Sequence, residues 1–231
     1  MNVSKWFHYY SFDIVGDLAF GKSFDMLKNG RIHFAIELLE RGMAASGVLT
    51  PISWMIPVMA AAPIIGSEYR RLCDWCAEQV EQRRKMKVDV PDITSWLLKD
   101  PRGDRRWLTG DARLIVVAGS DATAVAMTHV FYHLAAAPPQ AERLRAELKT
   151  LINPSAPFSV GDVRHADHLN GVINEALRLH PPVPSGTYRI TPPQGITVDG
   201  VYLPGEVNIT LPHYVIGRCK QRYRYFPSRN E

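Results

Sequence analysis

Asn174-Glu175-Ala176-Leu177-Arg178-Leu179-His180-Pro181-Pro182-Val183-Pro184 sets out a helix face and its end within a short span. Glu175 and Arg178 are three residues apart, so on a helix they share one face and can pair. Val172, Ile173, Leu177 and Leu179 give the other faces something apolar to bury, and the Pro181-Pro182 pair stops the helix. Alone, Glu-x-x-Arg reads as an ordinary surface ion pair, worth roughly a few tenths of a kcal/mol. Its weight depends on a second segment upstream.

That segment is a long helical pattern between Asp111 and Ala137, with Thr109 as the candidate N-cap and Pro138-Pro139 as its stop. Unbroken, it would span about 40 Å. Leu114 to Ala118 is apolar on every side, as in a helix through a core. Gly119-Ser120-Asp121-Ala122-Thr123 then places small or poor helix formers where a buried helix favours Leu or Ile. A glycine lets a flat ligand approach the backbone. Ser or Thr can divert backbone hydrogen bonds and open a bulge. A buried Asp is costly unless paired or chemically employed. A kinked core helix with a satisfied Asp is the competing reading.

Together the two segments resemble the cytochrome P-450 superfamily of heme-thiolate monooxygenases, of the fungal microsomal type. Ala118 to Thr123 is similar to the long oxygen-activating helix, whose pattern is Ala/Gly-Gly-x-Asp/Glu-Thr-Thr/Ser. Glu175-Ala176-Leu177-Arg178 with His180-Pro181-Pro182 is similar to the Glu-x-x-Arg helix beside the heme pocket. Phe12-Asp13-Ile14-Val15-Gly16-Asp17-Leu18-Ala19-Phe20-Gly21 resembles an earlier helix, and Tyr225-Phe226-Pro227 the stretch before a Pro-Glu-Arg-Phe segment. The resemblance implies a mainly α fold with a small β-sheet, a partial cytochrome P-450 fold in which residues 1–231 form the middle portion of one catalytic domain.

It also implies chemistry. The intact enzyme would bind heme, take electrons from an NADPH-dependent reductase and insert one oxygen atom into a small apolar substrate, at the endoplasmic reticulum membrane surface. Asp121 would relay protons within a groove made by Gly119. The family's next residue is Thr, here Ala122; Thr123 carries the following hydroxyl, rotated by about 100°. Arg189 would lie where a heme propionate is contacted, and Glu175 and Arg178 would be structural. The thiolate motif Phe-x-x-Gly-x-Arg-x-Cys-x-Gly does not occur, and Cys219, in Gly217-Arg218-Cys219-Lys220-Gln221, does not fit it. The iron's axial ligand in the family is that thiolate. The expectation is therefore a truncated domain whose heme binding is in doubt and whose Glu175–Arg178 pair lacks its arginine partner. Two readings follow: a monooxygenase with an incomplete reading frame, or a catalytically inactive remnant or interaction protein.

Composition suits a globular piece, with 46% apolar and 22% charged residues. Three cysteines make no disulfide framework. Cys73-x-x-Cys76 lies on an amphipathic row with Tyr69, Leu72 and Val80 and reads as core packing rather than a metal site. The net charge of +4 is spread over clusters such as Arg83-Arg84-Lys85 and Arg218 to Arg224, with no nucleic-acid motif. The first cluster could meet an acidic reductase or anionic lipid. No secretory signal or transmembrane anchor is expected, which leaves a cytoplasmic location as the alternative: residues 49–66, the most apolar, contain three prolines and read as a packed loop or a peripheral membrane contact through Trp54, Met55, Ile56 and Met59.

Elsewhere the pattern predicts helices over 32–45, 68–87 with Ser67 as cap, 92–98 with Asp92 as cap, and 139–151. Strands follow at 196–198 and 201–203 about an Asp199-Gly200 turn, with another over 207–211. Gly16-Asp17-Leu18-Ala19-Phe20-Gly21-Lys22-Ser23 matches the phosphate-binding pattern G-x-x-x-x-G-K-[ST]. Asp17, Leu18 and Phe20 would repel or obstruct a phosphate, so a nucleotide-binding protein is the remote alternative.

Overall fold

The structure, a computed structural model, describes residues 2–39, 41, 58, 61, 66–87, 91–99 and 104–219. The loop expected over 49–66, its four candidate lipid contacts and Tyr225-Phe226-Pro227 lie outside the described residues. Backbone contacts define two compact units, Met1–Ala124 and Val125–Glu231.

In the first unit, α1 (Val3–Phe20) starts where the Asn2 side chain accepts the Lys5 amide at 3.2 Å and ends at Gly21, with φ 66°. That left-handed turn carries no Cβ penalty at glycine, and the Gly21 amide bonds back to the Asp17 carbonyl. Tyr9, Phe12, Val15, Ala19 and Phe20 are buried along one stripe. Phe12 stacks on Phe24 at 4.7 Å, and Phe24 leans on Trp75 at 5.4 Å. The buried Asp13 carboxylate accepts the Met26 and Leu27 amides at 3.0 and 2.9 Å, which opens α2 (Met26–Asn29). Residues 34–39 are helical.

This geometry removes the nucleotide reading. Gly16 to Phe20 is helix, Gly21 is its cap, and a Cβ on Gly16 would lie 2.6 Å from the Lys22 carbonyl oxygen. Lys22 Nζ donates to Gln82 Oε1 at 2.5 Å, and burial pulls its pKa down. The part of the motif that would have to be a phosphate-cradling loop, residues 16–20, is helical.

Trp75 belongs to α3 (Ser67–Lys85), where Ser67 is the first helical residue and not the expected cap; Gly66 takes that position without a side-chain bond. Its buried face is Leu72, Trp75, Cys76, Gln79, Val80 and Arg83. Tyr69 and Cys73 leave the expected row because both bond the Arg113 guanidinium at the helix margin. Cys76 is fully buried, and burial pushes its thiol up to about 12. Arg83 is no docking cation: its guanidinium is buried and paired with the equally buried Asp92, leaving Arg84 and Lys85 exposed. Asp92 also caps α4 (Ile93–Leu97) as expected, accepting the Ser95 amide at 2.7 Å. Thr94 ties α4 to the Ala19 carbonyl of α1.

The long helix, α5 (Arg105–Ala136), begins four residues ahead of Thr109. Asp104 starts it, its carboxylate accepting the Arg106 amide at 2.8 Å and its carbonyl the Leu108 amide at 3.2 Å; Asp outranks Thr as a cap. Leu108, Ala112, Val116, Ser120 and Ala124, all buried, repeat every fourth residue and form the core-facing stripe. Among the described residues it is the helix long and apolar enough to cross a membrane by length and composition; burial is confined to that one stripe, and Leu114 is exposed rather than enclosed on every side as the pattern suggested.

In the second unit, α6 (Pro138–Leu151) opens one residue before the expected Pro139. Its Glu147 caps α8 (Asp167–Leu179), accepting the His168 and Leu169 amides at 2.8 and 2.9 Å, and these bonds hold its carboxyl below the usual range. Between them lies α7 (Val160–Val163), opened by a Ser159–Asp162 capping box. The strands form two antiparallel pairs rather than one sheet: β1 (Tyr188–Ile190) with β4 (Asn208–Thr210), and β2 (Ile196–Val198) with β3 (Val201–Leu203). The Asp199-Gly200 turn is as expected, with φ of 50° and 79°. The short helix α9 (His213–Arg218) follows.

Candidate active site

The residues singled out from the long helix fall on different sides of it. Residues 119–123 remain regular α-helix, without the bulge that hydroxyls could have opened. Ser120 Oγ donates to the Val116 carbonyl at 2.6 Å and Thr123 Oγ1 to the Gly119 carbonyl at 3.0 Å, so both hydroxyls are satisfied one turn back. Gly119 faces α1: a Cβ there would lie 2.9 Å from Val15 Cγ2. Its missing side chain makes room for a neighbouring helix, not an open groove. Ser11 of α1 fixes the contact, donating to the Ser120 carbonyl at 2.7 Å. Gly119→Val is therefore expected to cost about 1–3 kcal/mol through overpacking, read as a lowered denaturant midpoint; Val15→Ala should recover part of the loss.

Asp121 is not buried as the pattern suggested; its side chain is 51% exposed and takes a partner the sequence did not indicate. His8 Nε2 lies 3.1 Å from Asp121 Oδ1, and His8 Nδ1 lies 2.8 Å from the Ser4 carbonyl. A carbonyl only accepts, so Nδ1 must carry a proton. The second contact then needs one further proton, either on Nε2 beside a carboxylate or on Asp121 beside a neutral ring. A hydrogen bond between the two side chains therefore needs that one proton. His8 and Asp121 are 113 residues apart, and no spacing rule connects them.

In the second unit, Glu175 and Arg178 form the expected pair, with Arg178 Nε on Glu175 Oε2 at 2.6 Å and a second bond from Nη2 to Oε1. The guanidinium holds the Glu175 carboxyl below its usual range. Arg178 Nη1 also donates to the Gly217 carbonyl, so a backbone oxygen is a further partner of the guanidinium. Gly217 is needed for that approach, since a Cβ would lie 2.3 Å from the Arg178 carbonyl oxygen. Arg189 is exposed on β1, and its guanidinium donates to its neighbour's carbonyl, Tyr188, at 2.9 Å.

For a heme, the described residues fit one side only. Ala118, exposed, and Ala122, half-buried, share a face of the long helix and carry nothing larger than a methyl group. That wall suits a flat group. The iron side is different: Cys76 is a core thiol, Cys73 accepts from Arg113 at 3.5 Å, and Cys219 is exposed at the end of α9. None of the three has the surroundings of the family's ligand loop. Among the described residues no group of three His, Cys, Asp or Glu side chains converges on a metal position.

A long helix with a small-residue wall and an acid, packed on an earlier helix and followed by a Glu-x-x-Arg helix and short strand pairs, has the make-up of part of a cytochrome P-450 fold. The family model described as cytochrome P-450 matches residues 1–225, and the chain belongs to that family. It is 40% identical over 234 residues to tryprostatin B 6-hydroxylase of Neosartorya fischeri, covering 96% of this chain and 42% of that protein. The Aspergillus fumigatus protein of the same name is 41% identical, with 96% and 41% covered. A cytochrome P-450 monooxygenase of Aspergillus versicolor is 41% identical over 225 residues, covering 94% of this chain and 41% of the relative. The chain thus spans about two fifths of the length of these relatives. Among solved structures, the cytochrome P450DA heme domain superposes with a TM-score of 0.73 at 17% identity, over 94% of this chain and 48% of that one, which supports the fold.

Proposed function

We propose that the protein serves heme-dependent oxidation of a small apolar molecule in fungal secondary metabolism, and that this chain builds the oxygen-side wall of the pocket. The observation that carries the reading is the family match across residues 1–225. The relatives named as tryprostatin B 6-hydroxylase support small-molecule hydroxylation as the reaction type. When bound, heme supplies the oxygen chemistry. Ala118 and Ala122 would leave space against the helix, and Asp121 with His8 would pass protons inward from solvent. Thr123 would contribute little, because its hydroxyl is committed to Gly119. Glu175 and Arg178 would hold α8 and α9 together. An NADPH-dependent reductase and the endoplasmic reticulum surface would be the partners, as is general for microsomal members, with residues 49–66 as the lipid contact.

A second reading, a catalytically inactive chain, is favoured by the placement of the three cysteines. Titration of the purified chain with hemin tests the first. A saturating Soret absorbance that is lost in Ala122→Phe supports the proposed wall. Absorbance indifferent to that substitution, or no uptake, would favour the inactive reading.

A further inference from the structure

His129 and His133 stand one turn apart on the part of the long helix that belongs to the second unit, and His180 closes α8. The His180 ring stacks on His129 with centroids 4.0 Å apart and planes inclined by 11°, and its centroid lies 5.0 Å from that of His133. His129 Nδ1 lies 2.9 Å from the Val125 carbonyl, so Nδ1 carries its proton and Nε2 is bare in the neutral ring. His133 Nε2 is buried without a hydrogen-bond partner. His180 stacks face to face on His129 and is tilted by 36° against His133, and among the described residues the rings do not converge on a metal position.

We propose that His129, His133 and His180 form a proton-operated joint, which holds the C-terminal end of α8 to the long helix while the rings are neutral and loosens when they charge. Neutral imidazoles can stack at this distance, whereas two imidazolium rings repel in a site with little water between them. The other charges around the joint act in both directions. Arg218 of α9 adds a positive charge near His180. On α8 itself the Glu175 carboxylate is engaged by Arg178 and also attracts a charge on His133. On α6, Glu147 is committed to the amides that start α8, with Arg143 beside it.

Burial first, then His129, His133 and Arg218, lower the proton affinity of His180. The folded chain therefore binds fewer protons there than the unfolded chain. This contribution to stability is complete above the ordinary histidine value of about 6.5 and declines as pH falls below it. Because the end of α8 carries Arg178, opening the joint should also loosen the Arg178–Gly217 contact.

Imidazole NMR titration of the full chain tests the proposal. His180 is expected to titrate below about 6.5, and His129→Phe, which keeps a ring but removes the charge, is expected to raise that midpoint. Amide exchange in α8, corrected for the intrinsic pH effect, should rise several-fold on going from neutral pH to below the midpoint. An ordinary His180 midpoint in the wild-type chain, or α8 exchange that ignores pH, would overturn it, and both are read without relying on a variant that folds.

Discussion

Asp92→Asn is expected to destabilise the chain by about 3–5 kcal/mol, the cost of leaving a buried charge without its partner. The Arg83 and Asp92 side chains are only 7% and 6% exposed, so water cannot replace the lost carboxylate. The substitution is informative because Asn is as good an N-cap as Asp. The bond to the Ser95 amide can survive it, and the loss therefore reports the ion pair rather than the cap. Denaturant unfolding should show the midpoint shift, with a smaller effect for the double variant Arg83→Met/Asp92→Asn, in which no charge is left buried. A shift below about 1 kcal/mol would mean that the pair is open to water, as exposed bridges are.

Phe12→Ala should be comparably damaging, at about 3–5 kcal/mol, the range for deleting a buried aromatic. The ring is completely buried, stacked on Phe24 at 4.7 Å and facing Trp75 at 6.4 Å, at the centre of the first unit's core. Thermal unfolding measures the loss, and Phe12→Leu should recover much of it by refilling the cavity. A local consequence is also expected. Ser11 and Val15, one residue before and three after, make the contacts to Ser120 and Gly119 that align α1 with the long helix. Loosening Phe12 should therefore broaden the His8 ring signals as the His8–Asp121 contact begins to fluctuate. Unchanged His8 signals in a destabilised Phe12→Ala would separate the core from the site.

What could be read from the sequence was chiefly local. The Glu175–Arg178 face, the Asp92 cap and the Asp199-Gly200 turn depend on residues within one turn of each other, and all three appear where the spacing put them. The start of the long helix was misplaced because Thr109 lies nearer the apolar run, while Asp104 is the stronger cap. Arg83 looked like part of a solvated basic cluster, since its burial depends on Asp92 nine residues away. Gly119 illustrates an ambiguity of residue type: a missing side chain can admit a ligand or a neighbouring helix, and only the position of Val15 distinguishes them. His8 left no signal at all, because its significance comes from packing across 113 residues. The Gly16 to Ser23 match was literal, but Gly16 to Phe20 is helix and Gly21 its cap, so the stretch does not form the loop of inward amides that a phosphate needs.

The reduced, carbon-monoxide-bound absorption spectrum of the purified chain after exposure to hemin is the most direct test of the central claim, that these residues form the oxygen side of a heme-thiolate pocket without supplying its thiolate. The expected result is hemin uptake without a thiolate-type Soret band, because none of Cys73, Cys76 and Cys219 has the surroundings of the family's ligand loop. A thiolate-type band, abolished in Cys219→Ser, would contradict it.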